Sequence, residues 1–139
     1  MSQELRDALF IPQDHRTNFK NIVAKRSDLL KFGRGRIKYA GAGLTVNYEA
    51  GTVLGYATTG ADAGFWKPYL SSNTDGSQVA AAILAESAYD VDQYGNGSEI
   101  VFLIGGEVFQ SLLIGLDSGA ISNLGAKSYV EGGAQILSF

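Results

Sequence analysis

The sequence has no cysteine, only two prolines and a single histidine among its 139 residues. The lack of cysteine excludes a disulfide framework, a thiolate nucleophile and a cysteine-based metal site. No apolar run approaches the ~20 residues that a membrane-spanning helix needs, and the first residues lack the apolar core of a signal peptide. We therefore expect a chain made in the cytosol, with no membrane partner and no resident metal or cofactor.

Glycine, by contrast, is abundant. The chain holds 18 glycines, more than the usual share of ~7%, among many of the β-branched and aromatic residues that favour strands. This composition predicts one all-β body with tight turns and at most one short helix. A β body of about 100 residues buries only ~60–70% of its unfolded surface. Without disulfides, we expect it to be stabilised by oligomerisation.

Charge is distributed unevenly along the chain. Residues 1–40 contain nine lysines and arginines against four acids, a balance of +5, whereas residues 41–139 contain two against ten, a balance of −8. Such asymmetry is typical of a basic interaction arm on an acidic body. The sequence thus predicts an extended N-terminal arm over residues 1–40 and a β body over residues 41–139. Because the body would repel nucleic acid, we expect no direct nucleic-acid partner.

Two apolar clusters lie within the predicted arm. Phe10 and Ile11 form the first, while Phe19 and Ile22 begin a helical stripe that predicts one short amphipathic helix. A helix of this length needs a surface to lie on. Residues 31–38 (KFGRGRIK) are interpreted as a solvated linker, or as part of an arm that docks on an acidic protein. The expected contact residues are Phe10, Ile11, Phe19, Ile22, Lys25, Arg26, Arg34, Arg36 and Lys38.

The predicted body is organised around residues 79–85 (VAAAILA), a strand-sized run of small and apolar residues. We predict that this run forms a central strand. A further strand is predicted over residues 65–69 (FWKPY), and its proline confines it to a sheet edge or a strand end. The Gly105-Gly106 pair between two apolar runs predicts a tight hairpin. Residues 117–125 fit a short capped helix, and residues 134–139 a last strand.

The sequence offers little catalytic chemistry. His15 has no second ligand type at metal spacing, and the Asp90–Asp92 stretch opens like a calcium loop but lacks its closing bidentate carboxylate. Neither feature predicts a metal or catalytic site. Trp66 is the only tryptophan, and it fits either a ligand platform or an anchor at a core edge or subunit contact. Possible subunit contacts are Trp66, Pro68 and Tyr69.

Three segments in order carry a family resemblance: residues 50–55 (AGTVLG), residues 66–69 (WKPY) and residues 74–85 (TDGSQVAAAILA). Together they resemble the lambda-type phage head decoration proteins. The resemblance implies a β-tulip (clip-like) fold and a homotrimer at local three-fold sites on the outer capsid surface. It also implies arms that become ordered against the major capsid protein and cement the expanded head against DNA pressure. The positions that match the family's structural signature are Gly51, Gly55, Thr74, Asp75, Gly76, Ile83 and Leu84.

The resulting hypothesis is a structural cement protein whose arm clamps the shell, and not an enzyme. Two other classes stay open at this point. A carbohydrate- or ligand-binding β module would use exposed Trp66, Tyr69 and Tyr94 as a stacking platform. A small enzyme would need a substrate pocket with clustered acids, around Asp90, Asp92 and Glu99.

Overall fold

The computed structural model describes residues 22–23 and 30–139. Within these residues the chain is mostly β-sheet with one short α-helix, which confirms the predicted all-β class. The elements, in chain order, are β1 (Lys31–Arg36), β2 (Val46–Tyr48), β3 (Val53–Tyr56), β4 (Trp66–Pro68), β5 (Ala80–Leu84), β6 (Ala88–Val91), β7 (Glu99–Gly105), β8 (Glu107–Phe109), a 3-10 turn (Gln110–Leu112), α1 (Ser118–Leu124), β9 (Lys127–Glu131) and β10 (Ala134–Ser138).

The main sheet has five strands in the order β1-β7-β5-β3-β4, and its described pairs are antiparallel. Strand β5 lies in the middle, so the predicted central strand is confirmed. Ala82 is opposite Leu54 on one side, and Ile83 is opposite Leu103 on the other.

Each face of this sheet has its own core. Leu84 faces a core that includes Ile37 and Phe102, beside the β2-β6 pair. The next residue back, Ile83, faces the opposite core, which β8 and β10 cover with Val108 and Leu137. Because successive side chains of a strand point to opposite faces, β5 is buried on both sides from Ala82 to Leu84, whereas Ala81 is exposed. This explains why its sequence is apolar without alternation.

The structure corrects the prediction for residues 31–38. These residues were expected to form a solvated linker or a docking arm, but Lys31–Arg36 is a strand of the main sheet. Arg34 is opposite Val101 and Arg36 is opposite Glu99 of β7, and Ile37 is fully buried. The folded body therefore begins before residue 40. The reason is that strand pairing satisfies the backbone of this glycine-rich, charged segment, whose sequence carries little apolar signal.

The segment expected to be helical lies mostly outside the described residues. Three of its residues, Ile22, Val23 and Leu30, are described, and they belong to the body. Val23 bridges to Val108 in antiparallel orientation, and Ile22 is only 2% exposed. The N–H of Phe109 donates to the carbonyl oxygen of Ile22 at 2.9 Å. Ile22 is therefore a core residue of the body, which corrects its expected role as an outer contact.

The predicted hairpin at Gly105-Gly106 is wrong. Strands β7 and β8 do flank the glycines, but β7 belongs to the five-stranded sheet and β8 to the β8-β10-β9 sheet. The backbone of Gly106 pairs instead with the C-terminal Phe139, through two hydrogen bonds of 2.9 Å. The glycines thus carry the chain from one sheet to the next.

Two other local predictions are confirmed. Strand β4, which contains Pro68, is an edge strand. Asp117 caps α1, since its Oδ1 accepts a hydrogen bond from the N–H of Ala120 at 2.7 Å, and Gly125 ends the helix in the left-handed conformation. Ala120 packs beside Tyr69 in a third core cluster.

Candidate functional site

Strand β1 presents a basic outer surface because its residues alternate. The inward positions are Gly33 and Gly35, over which the rings of Phe102 and Trp66 lie so closely that a Cβ would clash. The outward residues Phe32, Arg34 and Arg36 are all exposed. We call these three residues the β1 stripe. The alternation of glycine and arginine at residues 33–36 therefore leaves the inner face of the strand without side chains and gives its outer face charged side chains.

The end of β1 is joined to the opposite edge of the sheet. Ile37 forms a parallel bridge with Trp66, and the N–H of Lys38 donates to the carbonyl oxygen of Trp66 at 3.0 Å. We call this junction the seam. Trp66 is half-buried there, with its ring centroid 4.3 Å from that of Phe102 and 5.1 Å from that of Tyr56. Trp66 is therefore an anchor between sheet edges and not an open platform.

A chain of ion pairs lies beside the seam. Asp62 pairs with Lys38 at 3.3 Å and with Lys67 at 3.0 Å, and Lys67 pairs with Asp75 at 2.7 Å. The hydrogen bond from Lys67 lowers the pKa of Asp62, and the pairing with Asp75 raises the pKa of Lys67. Lys38, expected to contact an outside partner, is thus paired with an acid of its own body.

Tyr48 fixes the backbone next to these ion pairs. Its hydroxyl donates to the carbonyl oxygen of Lys38 at 2.7 Å. Burial raises the pKa of Tyr48, and the charge of Asp62 raises it further. The phenol therefore stays protonated and keeps its donor role at neutral pH.

The turn around Asp75 contains three of the family-signature positions. The carboxylate of Asp75 accepts hydrogen bonds from the N–H and the hydroxyl of Ser77, at 3.0 and 2.6 Å. The Lys67 ammonium, together with these bonds, holds the pKa of Asp75 well below its usual range. Gly76 has a φ of 113°, which favours glycine. Thr74, by contrast, is exposed.

The remaining signature positions also build the fold. A Cβ on Gly55 would lie 2.7 Å from the Cα of Ser77, so only glycine lets the Asp75 turn pack on β3. The N–H of Gly51 donates to the carbonyl oxygen of Leu84 at 2.8 Å. Ile83 and Leu84 are both fully buried.

The expected ligand platform is not assembled. Tyr69 is only 4% exposed, and its hydroxyl donates to Asp117 Oδ1 at 2.9 Å. Burial raises the pKa of Tyr69, and the bond to Asp117 raises it further. Tyr94 is 79% exposed on a loop. Tyr69 is therefore a core residue, which corrects both its expected platform role and its expected place in a subunit contact; Pro68 beside it is half-buried.

The acidic loop that follows β6 is held by its own hydrogen bonds. The carboxylate of Asp92 accepts from the N–H groups of Tyr94 and Asn96, at 2.9 and 3.0 Å, and from the Asn96 side chain at 2.8 Å. These bonds lower the pKa of Asp92. Among the described residues, no three potential ligand side chains are grouped to hold a metal ion, and no helix has the length and apolar character to span a membrane.

Several predicted contact residues lie outside the described part of the chain: Phe10, Ile11, Phe19, Lys25 and Arg26, as well as His15. The structure nevertheless shows that most of the basic surplus of residues 1–40 belongs to the folded body and not to an arm. Residues 1–29 hold five basic side chains against four acids, a balance of only +1, whereas residues 30–40 hold four and no acid. Most of the basic surplus therefore sits on β1 and the seam. The sequence predicted Arg34, Arg36 and Lys38 as contacts but not the strand that carries the two arginines, although the alternation of glycine with arginine is the signal that indicates it.

A family model described as Bacteriophage lambda head decoration protein D matches residues 20–126 of the chain. The matched region includes the whole five-stranded sheet, the Asp75 turn and α1. No curated protein and no solved structure gives a significant match.

Proposed function

Because the chain belongs to the family of bacteriophage lambda head decoration protein D, it is a phage head decoration protein, and we propose that it cements the head. In this proposal it binds the outer surface of the expanded icosahedral capsid as a homotrimer with a β-tulip body. The trimers occupy local three-fold sites, contact the major capsid protein and stabilise the shell against the pressure of packaged DNA.

The observation that carries the proposal is the family match itself, which covers most of the chain. The described geometry supports a structural role for the matched residues. Six of the seven signature positions serve turns, close backbone approaches or the buried C-terminal end of β5, and Thr74 is the exposed one. Signature residues that stabilise the fold are what we expect of a protein that functions through contacts made by its surface.

We propose that residues 1–21 dock on the major capsid protein. This arm is shorter than residues 1–40, because β1 and the seam are part of the body. Its candidate contacts are Phe10, Ile11 and Phe19, which precede the point where Ile22 is anchored beside β8. An apolar segment can bind a partner by laying its side chains in a groove or by adding a strand.

We place the contact between the three copies at the β4 edge. Trp66 and Pro68 are partly exposed there, and two large apolar side chains follow at the same end, Leu70 at 56% and Ile114 at 43% exposure. The carbonyl oxygen of Ile114 accepts from the N–H of Val53, whose own carbonyl accepts from the N–H of Tyr69. Ile114 therefore lies on the same side of β3 as β4, just beyond the end of that strand.

The arm is tested by co-sedimentation with expanded, DNA-free heads. Deletion of residues 1–20 keeps Ile22 and β1, and we expect it to weaken binding at least about tenfold. Phe10→Ala/Ile11→Ala should give part of that loss, whereas Gln3→Ala/Gln13→Ala, the matched control in the same segment, should bind like the wild type. Undiminished binding of the deletion variant would contradict arm docking, and a wild-type protein that does not bind heads would contradict the cement function.

A further inference from the structure

We propose that the β1 edge is a second docking site for the shell, which takes up an extended acidic segment of a shell protein as an added strand. The inference rests on the proposed cement function and deepens it, because it assigns a partner contact to the folded body. The β1 stripe and the backbone between its residues are the receiving surface.

Strand β1 ends the main sheet. Along Lys31–Arg36 its one sheet neighbour among the described strands is β7, and the seam, where Ile37 bridges to Trp66, lies on the opposite edge just beyond Arg36. A strand at the end of a sheet presents backbone N–H and C=O groups that a further strand can use. Sheet partners bind such edges through main-chain hydrogen bonds and gain specificity from alternate side chains.

The hydrogen bonds just beyond β1 show which of its backbone groups point outward. The N–H of Ile37 donates to Ser98, on the β7 side, at 2.8 Å, while that of Lys38 donates away from β7, to Trp66, at 3.0 Å. Because successive residues of an extended chain point their N–H groups to opposite edges, Arg34 and Arg36 share the direction of Lys38. Their N–H groups therefore point toward the edge that β7 does not use.

The β1 stripe is basic, whereas the rest of the body is acidic. Arg34 and Arg36 project from the outer face of the strand, beside exposed Phe32, and Lys31 precedes them. The rest of the body, residues 41–139, carries a balance of −8. A basic stripe on an acidic body attracts an acidic partner and repels a second copy of the same basic strand. This complementarity favours an acidic protein segment, and the negative body disfavours nucleic acid.

An alternative hypothesis is that these cations only protect the edge from self-association, which is a common use of charged residues on edge strands. The two hypotheses predict different effects of charge reversal. If the cations only protect the edge, reversing their charge leaves head binding unchanged, whereas a docking edge loses affinity for heads.

The test compares binding to expanded, DNA-free heads across variants of the full chain. Arg34→Glu/Arg36→Glu should bind at least about tenfold more weakly than the wild type. Lys127→Glu, which reverses an exposed charge on β9, should stay within about twofold. Arg34→Pro removes one outward N–H and leaves the β7 side of the ladder intact, as edge prolines do, so it should also weaken binding. Thermal unfolding of each variant shows whether it is folded.

A second measurement uses the wild-type protein alone. Hydrogen exchange of the Arg34 and Arg36 amides should slow at least about tenfold on heads, since strand addition pairs them. Unchanged exchange would overturn strand addition, even if charge reversal weakened binding. Binding of Arg34→Glu/Arg36→Glu at wild-type strength would overturn the site while leaving the cement function in place, whereas a wild type that ignores heads would remove the cement function itself. A stripe-dependent affinity for a short DNA duplex, with head binding unchanged, would assign the stripe to nucleic acid and overturn the proposal.

Discussion

The indole of Trp66 lies against the backbone of Gly35, so that a Cβ added to Gly35 would be 2.5 Å from the indole nitrogen. The two residues belong to the two outer strands of the same sheet, β4 and β1. The seam therefore brings together strands that three others separate. Because of this contact, the packing of Trp66 on β1 requires glycine at position 35.

Substitution Gly35→Ala tests this contact. The added methyl group must displace the Trp66 ring or move β1, and we expect the free energy of unfolding to fall by about 1–3 kcal/mol. Because Trp66 is the sole tryptophan, its fluorescence in a urea titration reports the seam directly. Gly41→Ala is the matched control, since its Cβ would meet Leu44 at an ordinary 3.5 Å. Equal stability of the two variants would contradict the assigned packing.

The Asp75 turn predicts a specific dependence on pH. Lys67 and Ser77 hold the pKa of Asp75 below its usual range, so the carboxylate stabilises the fold above the unfolded pKa of about 4. This contribution is lost as the pH falls through the folded pKa. We expect Asp75→Asn to be less stable than the wild type at pH 7, with the difference shrinking below about pH 4. Urea titrations from neutral to acid pH measure it.

Glu86→Gln provides the control for that series, because Glu86 is an exposed acid just beyond β5. Its free energy of unfolding should stay parallel to that of the wild type. A constant gap between Asp75→Asn and the wild type across the acid range would show that the charge of Asp75 is not what stabilises the turn.

Truncation separates the arm from the body. Deletion of residues 1–38 removes β1 and the fully buried Ile37, and loss of one such buried side chain alone costs about 2–5 kcal/mol. We expect this variant to lose its cooperative thermal transition by circular dichroism. Deletion of residues 1–20 should retain the transition, because Ile22 and its partners remain. A cooperative transition for the longer deletion would mean that β1 is dispensable.

Asp117 joins the helix to the core. Its Oδ1 accepts from the N–H of Ala120 and from the hydroxyl of Tyr69. Asp117→Ala removes the helix cap and leaves the Tyr69 hydroxyl without its acceptor, so we expect a loss of about 1–3 kcal/mol. Ser118→Ala, at the exposed next position, should cost far less. Chemical unfolding compares the two, and similar losses would refute the cap.

Local patterns predicted the elements whose sequence carries a strong apolar or turn signal. The run at residues 79–85 indicated β5, and the proline of residues 65–69 indicated an edge strand, because each pattern reflects one local constraint. Asp117 and Gly125 likewise marked the ends of α1. These predictions needed no information about distant parts of the chain.

The predictions that failed depended on distant partners. Nothing near Gly33 and Gly35 indicates that Phe102 and Trp66 fill the space of their missing side chains. The local sequence around Gly105-Gly106 predicts a hairpin, but the backbone of Gly106 pairs with Phe139, which is distant in the sequence. The contact residues Arg34 and Arg36 stay predictions. Local sequence did not indicate that they share one face of a strand, since the β1 stripe becomes a surface only when β7 pairs with β1.

The most direct test of the cement function is cryo-electron microscopy of expanded, DNA-free heads incubated with the purified protein. We expect added density for three copies around each local three-fold axis, confined to the outer surface of the shell. Heads that stay bare at saturating protein, or density on the inner surface, would contradict it.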